Sequence, residues 1–191
     1  MPKIIGFKIP LRIREVQRRG KKLGLKLEEG EADERALQEF LNQALKALRP
    51  AVLFDTFPHP DPEQPLLSPM PGLAYSLVLA TLGPKLAAFR GQNEITGIPG
   101  SAFWPAIEEV ALEETVRFAT SLLEGDAAGE SCELSPLVKL SEAPAMEAVL
   151  RKLDSAKIGV SLMNGAIEPS ATCAFSLSWL SKSKSKGKAR Q

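Results

Sequence analysis

The chain has 191 residues, of which 44% are hydrophobic and 25% charged, with a net charge of +1. A chain of this size buries roughly 70% of its unfolded surface, so one core can hold it without a disulfide or metal staple. The balanced charge gives no electrostatic case for nucleic acid or an anionic membrane. Two cysteines, Cys132 and Cys173, fit a reducing cytoplasm better than a disulfide framework. The longest apolar run, Leu73 to Leu82, is about half a membrane span, and the N-terminus lacks the apolar run of a signal peptide. The expected location is therefore cytoplasmic, with one domain over residues 1–180 and a basic, disordered tail over 181–191.

Lys3 to Ile9 reads as a first strand closed by Pro10. Leu11 to Leu23 reads as a short helix ending near Gly24. Its cluster Arg12, Arg14, Arg18, Arg19, Lys21 and Lys22 could meet phosphate or RNA, but reads better as a solvated face, because acidic residues from Glu28 to Glu34 follow at once. Ala32 to Leu48 is the clearest helix: Leu37, Phe40, Leu41, Ala44, Leu45 and Leu48 repeat at i, i+3, i+4, i+7. Asp33 and Glu34 suit its N-terminus, and Arg49-Pro50 ends it.

Ala51 to Phe57 reads as a strand leading into a proline-rich loop over 58–71, which cannot supply a regular ladder. Tyr75 to Leu82 is continuously apolar and predicts a central strand covered on both faces. Gly83-Pro84 ends it and starts a helix carrying Leu86, Ala87 and Phe89. Ser101 to Glu124 predicts a long helix with Pro105 near its first turn and Gly125 as its stop. Ser131 to Val138 reads as an extended piece, and Pro144 to Leu153 as a short helix with Met146, Val149, Leu150 and Leu153 inward. Residues 157–180 read as strand, Gly/Pro-rich loop, strand. In the second strand Cys173, Phe175, Leu177 and Trp179 share one face, and Thr172, Ala174, Ser176 and Ser178 the other, which predicts a single core-facing side.

Much chemistry is missing. His59 is the one histidine, so a histidine-based metal site would need Asp, Glu or Cys ligands at no recognised spacing, and a Ser-His-acid triad could use only His59, with no Gly-x-Ser-x-Gly elbow beside it. There is no Gly-x-Gly-x-x-Gly and no phosphate-loop lysine motif. Cys132 and Cys173 stand too far apart for a Cys-x-x-Cys pair. The sequence nominates no catalytic residue and no metal ligands.

Several segments, in order, resemble the activation (reactivation) domain of vitamin B12-dependent methionine synthase and its free-standing relatives. Ile9-Pro10-Leu11 with the following helix, then Arg49-Pro50-Ala51-Val52, is similar to the family's N-terminal part. Leu77-Val-Leu-Ala-Thr-Leu-Gly-Pro-Lys-Leu86 resembles its central strand, Leu134-Ser135-Pro136 its ligand loop, and Asp154 to Gly165 with the following strand its closing hairpin. The resemblance spans most of residues 3–180. It implies an α+β domain, a twisted antiparallel (mixed) sheet with helices packed around it.

It also implies a role beside a corrinoid-binding protein or methyltransferase, with cobalamin held by that partner and S-adenosylmethionine as the family's ligand. The implied ligand-binding positions are Glu113, Glu133, Ser135 and Pro136. The family loop reads Arg-x-x-x-Gly-Tyr, and aligning on Ser135-Pro136 puts Glu133, Leu137 and Val138 at those three places. Glutamate for arginine reverses the interaction with a ligand carboxylate, and leucine for glycine blocks close backbone approach. Weak or absent S-adenosylmethionine binding is the expectation. Glu113, within Ala111-Leu-Glu-Glu, matches the family's acidic helix residue.

Two other readings stand beside this one. A non-enzymatic interaction scaffold that retains the fold would draw on the proline-rich loop and the basic tail. A small-molecule enzyme in the same cleft, for which no matched acid/base pair is visible, would gain support if Glu113, Glu133 and Cys132 met in one pocket.

Overall fold

In the computed structural model, which describes residues 1–25, 31–68, 70–96 and 100–182, the apolar runs line up as one six-stranded antiparallel sheet. Its path is β1 (Lys3–Ile5), β2 (Ala51–Pro58), β3 (Ala74–Thr81), β8 (Thr172–Ser181) and β4 (Cys132–Leu134), with β5 (Val138–Lys139) also paired to β8. The centre is β3, as its unbroken apolar run predicts, held between β2 and β8.

Helices cover both sides, so the domain is α+β as expected. They are α1 (Ile13–Lys22), α2 (Glu31–Ala47), α3 (Pro84–Thr96), α4 (Trp104–Gly129) and α5 (Ala143–Lys152). On one face Val52, Phe54, Val78, Phe175 and Leu177 pack against Ala119 and Leu123 of α4. On the other, Leu53, Tyr75, Leu77 and Leu79 pack against Met146, Val149 and Leu153 of α5 and its flanks. A third cluster joins the helices, where Phe40 of α2 meets Trp104 edge-on at 6.2 Å between ring centroids. No helix among the described residues is long and apolar enough to cross a membrane.

Four expectations change. The first strand stops at Ile5, because Gly6 turns at φ +72° and donates its N–H to the Pro50 carbonyl at 2.8 Å. The long helix does not stop at Gly125 but runs to Gly129. Gly125 is exposed, while Leu123 and Ala127, at i and i+4, stay buried and carry the packed stripe past it. Residues 155–158 form a 3-10 turn rather than strand. After it, β6 (Ser161–Met163) pairs with β7 (Ala166–Glu168) as a separate hairpin instead of with β8. Asn164 and Gly165 both take positive φ in its two-residue turn, the turn that matches strand twist.

The fourth change concerns β8, whose small polar side is as buried as its aromatic side. Ala174, Ser176 and Ser178 are 2%, 3% and 4% exposed: Ala174 packs in the α5 cluster, and Ser178 lies under the proline-rich loop, its hydroxyl donating to the Met70 carbonyl at 2.7 Å. Residues 183–191 of the expected tail lie outside the described residues.

Candidate functional site

Glu113 sits on the outer side of α4, and α1 reaches it. At Gly20 of α1 a Cβ would fall 2.3 Å from the ring of Phe103, in the turn just before α4, so glycine lets α1 pack closely on the start of α4. That approach sets Arg19 over α4. Its Nη1 donates to Glu109 at 2.7 Å and its Nη2 to Glu113. The other Glu113 oxygen lies 3.9 Å from Arg117, which bonds Glu114 at 2.6 Å. The acidic helix position thus already carries a cation from this chain.

Ser135 is buried, between β4 and β5. Its N–H donates to the Ser178 carbonyl at 2.8 Å, its Oγ accepts the Ser178 N–H at 2.9 Å, and its hydroxyl donates to the Pro136 carbonyl at 2.9 Å. Leu134 pairs with Trp179 and Val138 with Ser176, so one extra residue is accommodated between β4 and β5. That is a bulge at Pro136-Leu137 on the sheet edge, a place where a proline without an N–H costs no ladder bond. Pro136 is exposed. Glu133 points outward from β4, while Cys132 and Leu134 point in beside Ala127 and Trp179.

Ala127, where α4 packs on β4, stands 14 residues beyond Glu113, or about 21 Å along the helix. Ser135, Pro136 and Glu133 therefore share one edge, and Glu113 lies apart from them. Glu113, Glu133 and Cys132 do not meet in one pocket. Among the described residues, no group of three or more His, Cys, Asp or Glu side chains is placed to hold a metal ion.

One polar constellation escaped the sequence reading. Asp61, in the proline-rich loop, accepts hydrogen bonds from Tyr75 Oη at 2.5 Å and from Lys152 Nζ at the end of α5. Its other oxygen accepts the N–H groups of Glu63 and Gln64, each at 3.2 Å. The Lys152 ammonium lies 4.5 Å from the centre of the Phe57 ring. Nearby, His59 Nδ1 is 2.9 Å from Ser68 Oγ. The Lys152 bond, then the Tyr75 bond, holds the Asp61 carboxyl at about 2. Burial, then the Asp61 carboxylate, pushes the Tyr75 phenol up. At neutral pH this leaves a carboxylate and a neutral phenol, and the Asp61–Lys152 ion pair pins the loop to α5. The only local signal was Asp61 between two prolines, an Asx-turn pattern; Tyr75 and Lys152 arrive by tertiary packing.

The fold defines a class before any comparison: an α+β domain with a strongly covered antiparallel sheet and one long helix across it. It is similar to the crystal structure of the MetH reactivation domain bound to AdoHcy, with a TM-score of 0.52 and 12% sequence identity, over 96% of this chain and 79% of that one. No family model and no curated protein matches the chain by sequence.

Proposed function

We propose that the chain is a free-standing, activation-domain-like protein that works beside a corrinoid-binding protein or methyltransferase, with its own S-adenosylmethionine site degenerate. The observation that carries the first half is the likeness of fold over 96% of the chain to a reactivation domain. Cobalamin would be held by the partner, not by this chain.

Three local facts support the second half. Arg19 occupies the Glu113 carboxylate, where a cationic ligand group would need to sit. The Ser135 hydroxyl and amide are both bonded to β8 or to the loop itself. Glu133 stands where the resemblance requires an arginine, and a carboxylate repels a ligand carboxylate. These three features argue against S-adenosylmethionine binding at these positions.

Two measurements separate the halves. Isothermal titration with S-adenosylmethionine should give no saturable heat; saturable micromolar binding overturns the degenerate site. Affinity purification of the full chain, followed by mass spectrometry, should recover a corrinoid-binding protein or methyltransferase. Recovery of unrelated partners alone would overturn the corrinoid reading in favour of a scaffold that retains the fold.

A further inference from the structure

On the opposite side of the sheet from Glu113, α5 and the β6–β7 hairpin face each other across a groove. It consists of two adjoining depressions open to solvent, of about 340 and 390 Å³, at the small end of the ~300–1,000 Å³ range of small-molecule sites. Glu147 and Leu162 line both and mark their junction. Beyond the junction, one cavity is walled by Met146 and Ile167, and the other carries Arg151.

Glu147 and Arg151 stand one helical turn apart, in the Glu-to-Arg i,i+4 order that favours pairing. They do not pair. Both side chains are exposed, and no ion pair or hydrogen bond among the described residues engages either one. A carboxylate and a guanidinium left open on one helix face, on Cβ atoms roughly 6 Å apart by helix geometry, beside an apolar wall, match a compact zwitterion with an apolar side chain.

We propose that this groove binds a free α-amino acid with an apolar side chain. The ammonium sits on Glu147 at the junction and the carboxylate turns toward Arg151. The side chain enters the other cavity, against Met146, Leu162 and Ile167. Glu147 and Arg151 lie outside the segments that carry the family resemblance, so either proposal can fail without the other.

The test is a titration of the ¹⁵N-labelled full chain with L-leucine, followed by amide chemical shifts. Saturable shifts confined to residues 143–152 and 161–168 are expected. N-acetyl-leucine and leucine amide each lack one charge and should bind at least about tenfold more weakly, the worth of one charge-assisted hydrogen bond. Glu147→Gln and Arg151→Gln should each weaken leucine to a similar degree while the remaining spectrum shows an intact fold. Absence of saturable shifts with both L-leucine and L-phenylalanine overturns the proposal. So do shifts centred elsewhere, or capped analogues that bind as well as leucine.

Discussion

Replacing Asp61 by asparagine tests how the proline-rich loop is held. The carboxylate takes four hydrogen bonds: from Tyr75, Lys152 and the amides of Glu63 and Gln64. The amide side chain keeps the two backbone bonds through its oxygen but turns an NH₂ toward the Lys152 ammonium. The charge-assisted bond is lost, while Lys152, 22% exposed, can swing to water. The cost is about 2 kcal/mol, or a fall of about 4–8 °C in Tm for a chain of this length.

The pH dependence gives a sharper check. Asp61 is held at about 2, below its ordinary 3.8, by Lys152 first and Tyr75 second. A depressed carboxyl stabilises fully above its unfolded value and loses that stabilisation as pH falls through its folded value. The wild-type advantage over Asp61→Asn should therefore be complete at neutral pH, shrink below about pH 4 and nearly vanish by about pH 2. Urea unfolding followed by tryptophan fluorescence at several pH values measures the gap. A gap under about 0.5 kcal/mol at neutral pH, well short of one charge-assisted bond, or one that stays constant down to about pH 2, would refute the pinning role.

Other consequences are equally direct. Gly20→Ala forces a Cβ into the Phe103 ring and should cost about 1–3 kcal/mol, although alanine in an open helix would gain about 1 kcal/mol; a thermal melt no lower than wild type contradicts the close α1–α4 approach. Gly165→Val places a β-branched residue at φ +78° and should loosen the β6–β7 hairpin, seen as faster amide exchange at 161–168 with the main sheet unchanged. Cys132 is buried and Cys173 half-buried, with burial pushing the Cys173 thiol up against the lesser opposing pull of Lys139. Both should react slowly with a thiol reagent at neutral pH in the folded chain and rapidly in urea. A fast native reaction at either would show that the strand is open there.

Local pattern made much of the fold legible. The stripe from Leu37 to Leu48 gave α2, the apolar run through Leu79 gave the central strand, and Gly83-Pro84 marked its end. Each signal is a period or a backbone constraint written in neighbouring residues. The errors came where distant packing outweighed such cues. Gly125 reads as a helix stop, yet Ala127 keeps its place under Trp179 and the helix continues. Ser176 and Ser178 of β8 read as a solvent side, yet both are buried, Ser178 under the proline-rich loop.

The candidate residues divide along the same line. Composition, the lone histidine and the order of short motifs offered no metal-site or triad signal and singled out Glu113, Glu133, Ser135 and Pro136. Only the folded chain decided that Arg19 lies on Glu113, that Ser135 bonds across to β8, and that Asp61 meets Tyr75 and Lys152. Pairings between residues up to 94 positions apart follow from how helices cross and sheets register. Sequence order supplies the groups, but their meeting depends on the summed packing of the whole core.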